Sequence, residues 1–354
     1  MPKSPARQIE ARPLDAASVL AWYDRNARDL PWRVPPIGRA AGIAPDPYRI
    51  WLSEVMLQQT TIAAVKSYYA RFTALWPSVA DLAAAPLDKV LVEWAGLGYY
   101  ARARNLHACA RAVVERHGGV FPTRSAELLA LPGIGAYTAA AIAAITGDER
   151  VAVLDGNVER VLARYLALPV PVRDAKEALR AYLQAQVPAR AGDFAQAMMD
   201  LGATICAPRS ALCMLCPLQP GCLGTRADPL VYPVKAAKPE RPVRFGHAFV
   251  IRDQDGDIYL RRRPDKGLLA SMAETPTTDW TGQASPVAFP FAADWRPLPP
   301  VTHVFTHFRL ELSIWTALAP DPERLAEGWW VGPAGLDGEA LPSLFRKVLA
   351  SAGL

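Results

Sequence analysis

The sequence predicts a mostly α protein: a helical domain up to residue 226, then a smaller α+β domain over residues 244–354. Three observations predict it. Up to Arg226, apolar residues recur at three- and four-residue spacing, the period that lays one face of a helix on a core. Residues 227–243 break that pattern with prolines at 229, 233, 239 and 242 among basic residues, the composition of a semi-extended linker. Beyond it, FGHAFVIRDQDGDIYLRRRP alternates apolar and polar residues around Asp255-Gly256, which reads as a β-hairpin.

In the first domain, Tyr48–Phe72, Asp88–Glu93, Arg102–Arg116 and Asp174–Val187 carry the helical period, and Pro77, Pro86, Pro122, Pro132 and Pro169 punctuate it. Leu128–Gly147 is twenty residues long without a charge, but Pro132-Gly133-Ile134-Gly135 and its many alanines read as a tight turn opening a small-residue helix. A bilayer span would be richer in Leu and Ile. In the second domain HVFTHFRLELSIWTAL is a further strand-rich stretch and ALPSLFRKVLASAG a closing helix. No internal repeat is visible.

A chain of 354 residues fits two domains, and 51% hydrophobic against 21% charged residues excludes wholesale disorder. The net charge of +5 is unevenly spread. Residues 1–227 hold 25 basic and 19 acidic side chains, whereas residues 228–354 hold 14 and 15. A basic first domain points to a polyanion, most often nucleic acid. The start, MPKSPARQIEARP, has no apolar run of a signal peptide. A soluble, monomeric, cytoplasmic protein with no membrane contact is therefore expected, associated with the nucleoid through DNA.

Four of the five cysteines lie close together: Cys206-x6-Cys213-x2-Cys216-x5-Cys222. Without a secretion signal, clustered thiols mean metal rather than disulfides. Zinc sites commonly use two separated Cys-x2-Cys knuckles. Here there is a single one, followed by Pro217, and all four ligands fall in one loop, which favours a [4Fe–4S] cluster. Cys109 stands alone in a helical pattern and reads as a buried core thiol.

Leu131-Pro132-Gly133-Ile134-Gly135-Ala136-Tyr137-Thr138 sits between two helical patterns. Gly133 and Gly135 both permit positive φ, so successive N–H groups can address one phosphate, backed by the positive end of the next helix. This is a helix-hairpin-helix, a sequence-neutral clamp on a DNA backbone.

Hairpin and cysteine loop together resemble the endonuclease III superfamily of DNA glycosylases, and in detail its adenine-specific branch, the MutY family. The residues carrying the resemblance are Leu30-Pro31-Trp32-Arg33, Trp51-Leu52-Ser53-Glu54 through Gln58-Gln59-Thr60, Gly96-Leu97-Gly98-Tyr99-Tyr100 with Arg104-Asn105-Leu106, Leu154-Asp155-Gly156-Asn157-Val158 with Arg160, and Met199-Asp200-Leu201-Gly202-Ala203. It spans residues 18–226. More weakly, the second domain resembles that family's C-terminal domain, akin to Nudix hydrolases.

The resemblance implies excision of adenine opposite 8-oxoguanine or guanine in double-stranded DNA, and the residue types fit. Cleaving an N-glycosidic bond needs a proton on the leaving base and negative charge beside a cationic sugar. Glu54, among Trp51, Leu52, Val55 and Met56, would keep its proton if buried, and the family implies it as general acid. Asp155 opens a helix start, where backbone N–H groups and the helix dipole would hold it ionised. The family implies that it stabilises the sugar cation, by charge or through a covalent intermediate. Tyr137 and Asn157 are implied as its supporting shell. Relatives that also cut the strand carry Lys at position 137; Tyr has no amine for a Schiff base, so strong lyase activity is not expected.

Base extrusion needs something to fill the gap. The resemblance implies Leu57, Gln58 and Gln59 as the intercalating segment and Tyr99 as the residue stacked on 8-oxoguanine. It implies Gly133, Gly135 and Arg209 as backbone contacts. Arg28, Leu30, Trp32, Ile62 and Gln196 match the walls of the adenine pocket, and Phe305-Thr306-His307 matches a Phe-Ser-His loop that reads 8-oxoguanine. Ala273-Glu274-Thr275-Pro276 departs from the family's Trp-Glu-Phe-Pro, and no Nudix run of carboxylates follows, so no phosphohydrolase activity is expected. The insertion Val34–Asp46 carries no functional expectation. Two alternatives remain: a thymine- or uracil-mismatch glycosylase of the same superfamily, whose members usually lack the second domain, and a non-catalytic iron–sulfur DNA-binding protein, which would need neither carboxylate.

Overall fold

The computed structural model describes residues 12–235, 241–264, 266–325 and 327–354. Part of the proline-rich stretch, residues 236–240, lies outside them. The chain forms two compact units, Met1–Ala84 with Asn105–Ala237, and Ala85–Arg104 with Lys238–Leu354. Segment 85–104, which helical spacing assigns to the first domain, groups with the second unit. The reason is long-range pairing that spacing cannot show. Arg262 grips Asp88 with both terminal nitrogens at 2.7 and 3.0 Å, and Arg104 donates to the Ala270 carbonyl at 2.5 Å.

In chain order the helices are α1 (Ala16–Asn26), α2 (Pro36–Ala40), α3 (Pro47–Leu57), α4 (Ile62–Leu75), α5 (Val79–Ala84), α6 (Leu87–Trp94), α7 (Ala101–His117), α8 (Ser125–Leu129), α9 (Ala136–Gly147), α10 (Gly156–Tyr165), α11 (Val172–Gln186) and α12 (Ala191–Thr204). The periodic stretch Tyr48–Phe72 is two helices rather than one. Asp46 caps α3, accepting from Tyr48 N, and Thr61 caps α4, accepting from Ala64 N. Between them Gln59 adopts a left-handed φ of 58°, which no helix continues through.

The first unit is built around α12, buried from Ala191 to Gly202 and packed on α1, α9 and α10. Helix α9 has no polar face; Thr138 to Ile145 are all buried. Its small residues let α12 approach closely. A Cβ on Gly192 would sit 2.5 Å from the Ala144 carbonyl oxygen, so that crossing requires glycine.

The second unit contains a sheet of β1 (Val243–Arg252), β2 (Ile258–Arg262), β3 (Ala273–Glu274), β4 (Arg296–Val304), β5 (Arg309–Leu318) and β6 (Gly328–Val331), in the order β3-β2-β1-β5-β4 with β6 also on β2. The turn at Asp255-Gly256 is present, with Gly256 at φ 87°, but β1 and β2 pair only at Arg252 and Ile258. Strand β1 instead runs parallel to β5 along its whole length. Strand alternation sorts side chains to two faces. Ala248, Val250, Leu310, Leu312 and Ile314 share a core with Leu344, Phe345, Val348 and Leu349 of α13 (Ser343–Ser351). Phe249, Ile251 and Tyr259 face a second cluster containing Trp295, Trp315 and Trp330. No helix among the described residues is long and apolar enough to cross a membrane.

Candidate active site

A cleft of about 500 Å³ in the first unit gathers the side chains that α3, α9, α10 and α12 present. Its lining includes Glu54, Tyr137, Asp155 and Asn157; Leu57, Gln58 and Gln59; and Arg28, Leu30, Trp32, Ile62 and Gln196. Every residue predicted for the acid–base pair, the intercalating segment near it and the base pocket meets there.

Glu54 is buried, and burial with the Asp155 charge pushes its carboxyl up to about 7, against the opposing pull of a Tyr137 hydrogen bond and the Arg33 charge. The Tyr137 hydroxyl donates to Glu54 Oε2 at 2.8 Å, which leaves Oε1 to carry the proton. Burial, then the two nearby carboxyl groups, hold the Tyr137 phenol well above its ordinary value, so it stays a donor. Asp155 is the N-cap of α10. Its Oδ1 accepts from Val158 N at 2.7 Å and its Oδ2 from Asn157 Nδ2 at 2.8 Å. The cleft thus sets a carboxyl that burial raises to about 7 against a second carboxyl group fixed by N–H donors. That pair can protonate a leaving group and face a developing cation.

Three residues in the matched motifs carry structure that the sequence reading gave no role. Asp200 is fully buried beneath the cleft and accepts from Arg28 N at 3.1 Å and Nε at 2.6 Å, and from Arg33 Nη1 at 2.8 Å. Burial opposes the charge on Arg33, yet Asp200 holds its pKa above the ordinary value. Arg160 donates to Asn157 Oδ1 at 2.9 Å, to the Gly202 carbonyl at 2.6 Å and to the Cys206 carbonyl at 2.9 Å. Only their place in the quoted motifs pointed to them; a spacing argument does not.

Of the two hairpin glycines, Gly133 alone needs to be glycine. It has φ 73°, and a Cβ there would meet the Asn105 side chain at 2.5 Å. Gly135, expected to share that freedom, is extended at φ −89°, which any residue adopts. It is the N-cap of α9 and offers no side-chain cap, so the first N–H groups of α9 are left to an external acceptor. Gln58 donates to Thr138 Oγ1 at 3.3 Å, while Gln59 and Arg209 are exposed. In the insertion, α2 is anchored by Arg39, which bonds the Ile145 carbonyl and pairs with Asp148 and Asp193.

Cys206, Cys213, Cys216 and Cys222 line one small cavity together with Arg164. Burial pushes the Cys216 thiol up to about 12 and raises Cys222, so a soft cationic centre is what would draw off their protons. Four sulfurs around one cavity fit an iron–sulfur cluster. No three His, Cys, Asp or Glu groups among the described residues are gathered as ligands of a single metal ion. Cys109 is buried in α7, its thiol also pushed up to about 12.

In the second unit, Phe305 N bonds the Phe308 carbonyl at 2.9 Å, closing a loop that exposes Thr306 and His307. Phe305 is half-buried and stacks on Trp280 at 5.8 Å. Tyr99 belongs to this unit too, and its hydroxyl lies 3.3 Å from Thr306 Oγ1. Glu274 is buried and paired with Arg261 at 2.8 Å and with Arg263.

A helical unit with a glycine-bearing hairpin beside a cleft that holds the buried Glu54 and the N-cap Asp155 defines a base-excision DNA glycosylase of the helix-hairpin-helix class. Residues 52–188 match the model of the HhH-GPD superfamily of base excision DNA repair proteins, and residues 247–351 match a NUDIX domain. The rat adenine DNA glycosylase is 38% identical over 84% of this chain and 69% of its own length, and the Mycobacterium tuberculosis adenine DNA glycosylase 40% identical over 58% and 66%. The solved structure of a thermostable thymine-DNA glycosylase is 30% identical, with a TM-score of 0.53, and covers 60% of this chain and 94% of that one. The chain belongs to the adenine DNA glycosylase family.

Proposed function

We propose that the protein hydrolyses the N-glycosidic bond of adenine paired with 8-oxoguanine or guanine in duplex DNA, and leaves the strand uncut. The observation that carries this reading is the pairing of Glu54, held near 7 by burial, with Asp155 at the N-cap of α10 in one cleft. Relatives named adenine DNA glycosylase support the choice of base.

With adenine in the cleft, the proton on Glu54 Oε1 passes to a ring nitrogen of the base. The C1′–N bond then breaks and its electron pair leaves with neutral adenine. Asp155 faces the sugar cation, and its bonds from Val158 N and Asn157 Nδ2 keep it aimed. Water adds at C1′, and its released proton restores the Glu54 carboxyl. Tyr137 supports the acid through Oε2 and, lacking an amine, forms no Schiff base with the sugar. Gln196 is buried, and its Oε1 has no partner among the described residues, which suits it to accept from the exocyclic amine of adenine. Leu57, Gln58 and Gln59 are assigned to filling the emptied stack, and Tyr99, Thr306 and His307 to the base opposite.

The four cysteines Cys206, Cys213, Cys216 and Cys222 would hold a [4Fe–4S] cluster. Bound there, it supplies a structural centre for the loop that carries Arg209, since hydrolysis moves no electrons.

The test uses duplexes holding adenine opposite 8-oxoguanine, thymine opposite guanine, and uracil opposite guanine, with abasic sites revealed by alkali. Excision of adenine alone is expected. Excision of thymine or uracil with adenine untouched would replace this reading by that of a mismatch glycosylase.

A further inference from the structure

Arg164, on α10, is among the most completely buried large side chains of the chain. No carboxylate among the described residues lies within ion-pair distance of it. Its guanidinium is held by neutral acceptors: Nε donates to the Tyr232 carbonyl at 3.1 Å, Nη1 to Ala207 at 2.8 Å and Nη2 to Pro208 at 3.5 Å. These engage all three nitrogens but bring no opposite charge. A buried cation in that state is costly.

The remaining acceptor is a sulfur. Nη1 lies 3.3 Å from Cys206 Sγ, and the guanidinium lines the same cavity as all four cysteines. Arg164 meets the loop at its other end as well. Cys222 Sγ is 3.7 Å from the Arg164 carbonyl, and a Cβ on Gly224 would sit 2.5 Å from that oxygen. As neutral thiols the four cysteines offer the guanidinium only a weak acceptor and no opposite charge. As thiolates on a [4Fe–4S] core they make an anion, because four ligand charges exceed the two positive charges of the resting core.

We propose that Arg164 is the buried counter-charge of the iron–sulfur cluster: its guanidinium, at Cys206 Sγ, retains the cluster and sets its potential. This rests on reading the cysteine loop as an iron–sulfur site. The carbonyl bonds to Ala207, Pro208 and Tyr232 orient the guanidinium, and the charge does the work. Arg164 is a positioning residue for the metal site and stands outside the acid–base cleft.

The test compares the full-length protein with its Arg164→Lys and Arg164→Gln variants. Three quantities are read: iron per chain, the rate at which visible absorbance is lost to a chelator, and the midpoint potential of the cluster at an electrode. Removing a positive charge disfavours the more negative, reduced cluster. Arg164→Gln is therefore expected to shift the midpoint to lower potential and to lose iron on the order of 10–100-fold faster, the range for groups that support metal ligands. Arg164→Lys keeps the charge and should hold the midpoint near wild type. Wild-type protein with zinc and no iron would remove the cluster reading, and the proposal with it. Wild-type protein with iron, and an Arg164→Gln variant matching it in potential and iron retention, would overturn the role of Arg164 alone. A lysine variant shifted as far as the glutamine variant would also overturn it, by assigning the effect to the carbonyl bonds. Should Arg164→Gln fail to accumulate, Arg164→Lys decides: an unshifted midpoint supports the proposal and a lowered one overturns it.

Discussion

Tyr99 and Thr306 meet hydroxyl to hydroxyl at 3.3 Å across 207 residues of chain. Tyr99 reaches that position from a left-handed φ of 49°, between Gly98 at 69° and Arg102, whose guanidinium lies 5.7 Å from the Tyr99 ring. A bulky residue in that region is strained unless its surroundings hold it, and such strain gathers at functional segments. The two hydroxyls are thus parts of one surface. Tyr99→Phe and Thr306→Val should each lower the preference for 8-oxoguanine over guanine opposite adenine by about tenfold, the lower range for losing one polar contact to a base. The double variant should lose little more than either single one, because the contact is shared. Single-turnover rates on the two duplexes measure this; losses that simply add would mean that the hydroxyls act separately. His307→Ala, exposed in the same loop, should lower the preference independently.

Glu54→Gln keeps the shape and the bond from Tyr137 but has no proton to give. Asp155→Asn keeps the cap but loses the charge. Each should lower single-turnover excision by at least about 10²-fold, the lower range for a positioned acid, while duplex affinity stays near wild type. Normal excision by Glu54→Gln would end the role given to that residue.

The raised Glu54 value also sets a pH dependence. The acid is loaded below about 7 and empties as pH rises through that value, so excision should decline on the alkaline side of neutrality. Stability follows the same sign. The unfolded chain ionises this group near 4.5, so the folded protein loses stability progressively as pH rises from there to about 7, where the loss is complete. Glu54→Gln removes that loss, so its melting temperature should gain steadily on wild type between about pH 4.5 and 7, the range over which the two profiles are compared. Parallel profiles for the two proteins would show that the carboxyl is not held protonated.

Purified protein should be yellow-brown with about four irons per chain, the content of one cubane cluster. Cys213→Ser should lose the colour and much of the affinity for duplex DNA, since the loop carrying Arg209 would lose its centre. Stoichiometric zinc without visible absorbance is the outcome that would refute the cluster.

Gln196 offers a test of the base pocket. Its Nε2 is engaged with the Gly192 carbonyl at 3.3 Å, and its Oε1 is buried without a described partner. Gln196→Leu leaves the exocyclic amine of adenine without an acceptor, a loss of about 1–3 kcal/mol for an unmet buried polar group, or roughly ten- to hundredfold in excision. Gln196→Glu, which retains an acceptor, should be the milder change. Equal effects of the two would show that Oε1 does not meet the base.

The candidate site was legible to the extent that local chemistry writes itself into adjacent residues. Asp155 sits where a helix must begin, and an N-cap declares itself within four residues. The four cysteines declare themselves by spacing. Arg33, Arg160, Asp200 and Arg164 did not, because what gives each its meaning is a partner on another element. Nothing near Asp200 in the chain indicates that Arg28 and Arg33 will both turn to it. Gly135 marks the converse error: glycine permits positive φ but does not require it, and of the two hairpin glycines only Gly133 uses that freedom.

The sequence by itself determined the helical and strand-bearing regions, the hairpin and the cysteine loop, because periodicity, turn chemistry and ligand spacing are local properties; the roles of Glu54 and Asp155 came from the resemblance to a family. Tertiary structure alone decided the raised pKa of Glu54, the grouping of residues 85–104 with the second unit, the meeting of Tyr99 with Thr306, and the burial of Arg164 with no carboxylate partner among the described residues. The physical reason is common to all four. Desolvation and charge pairing depend on which atoms surround a group in space, and those atoms come from chain segments tens to hundreds of residues away.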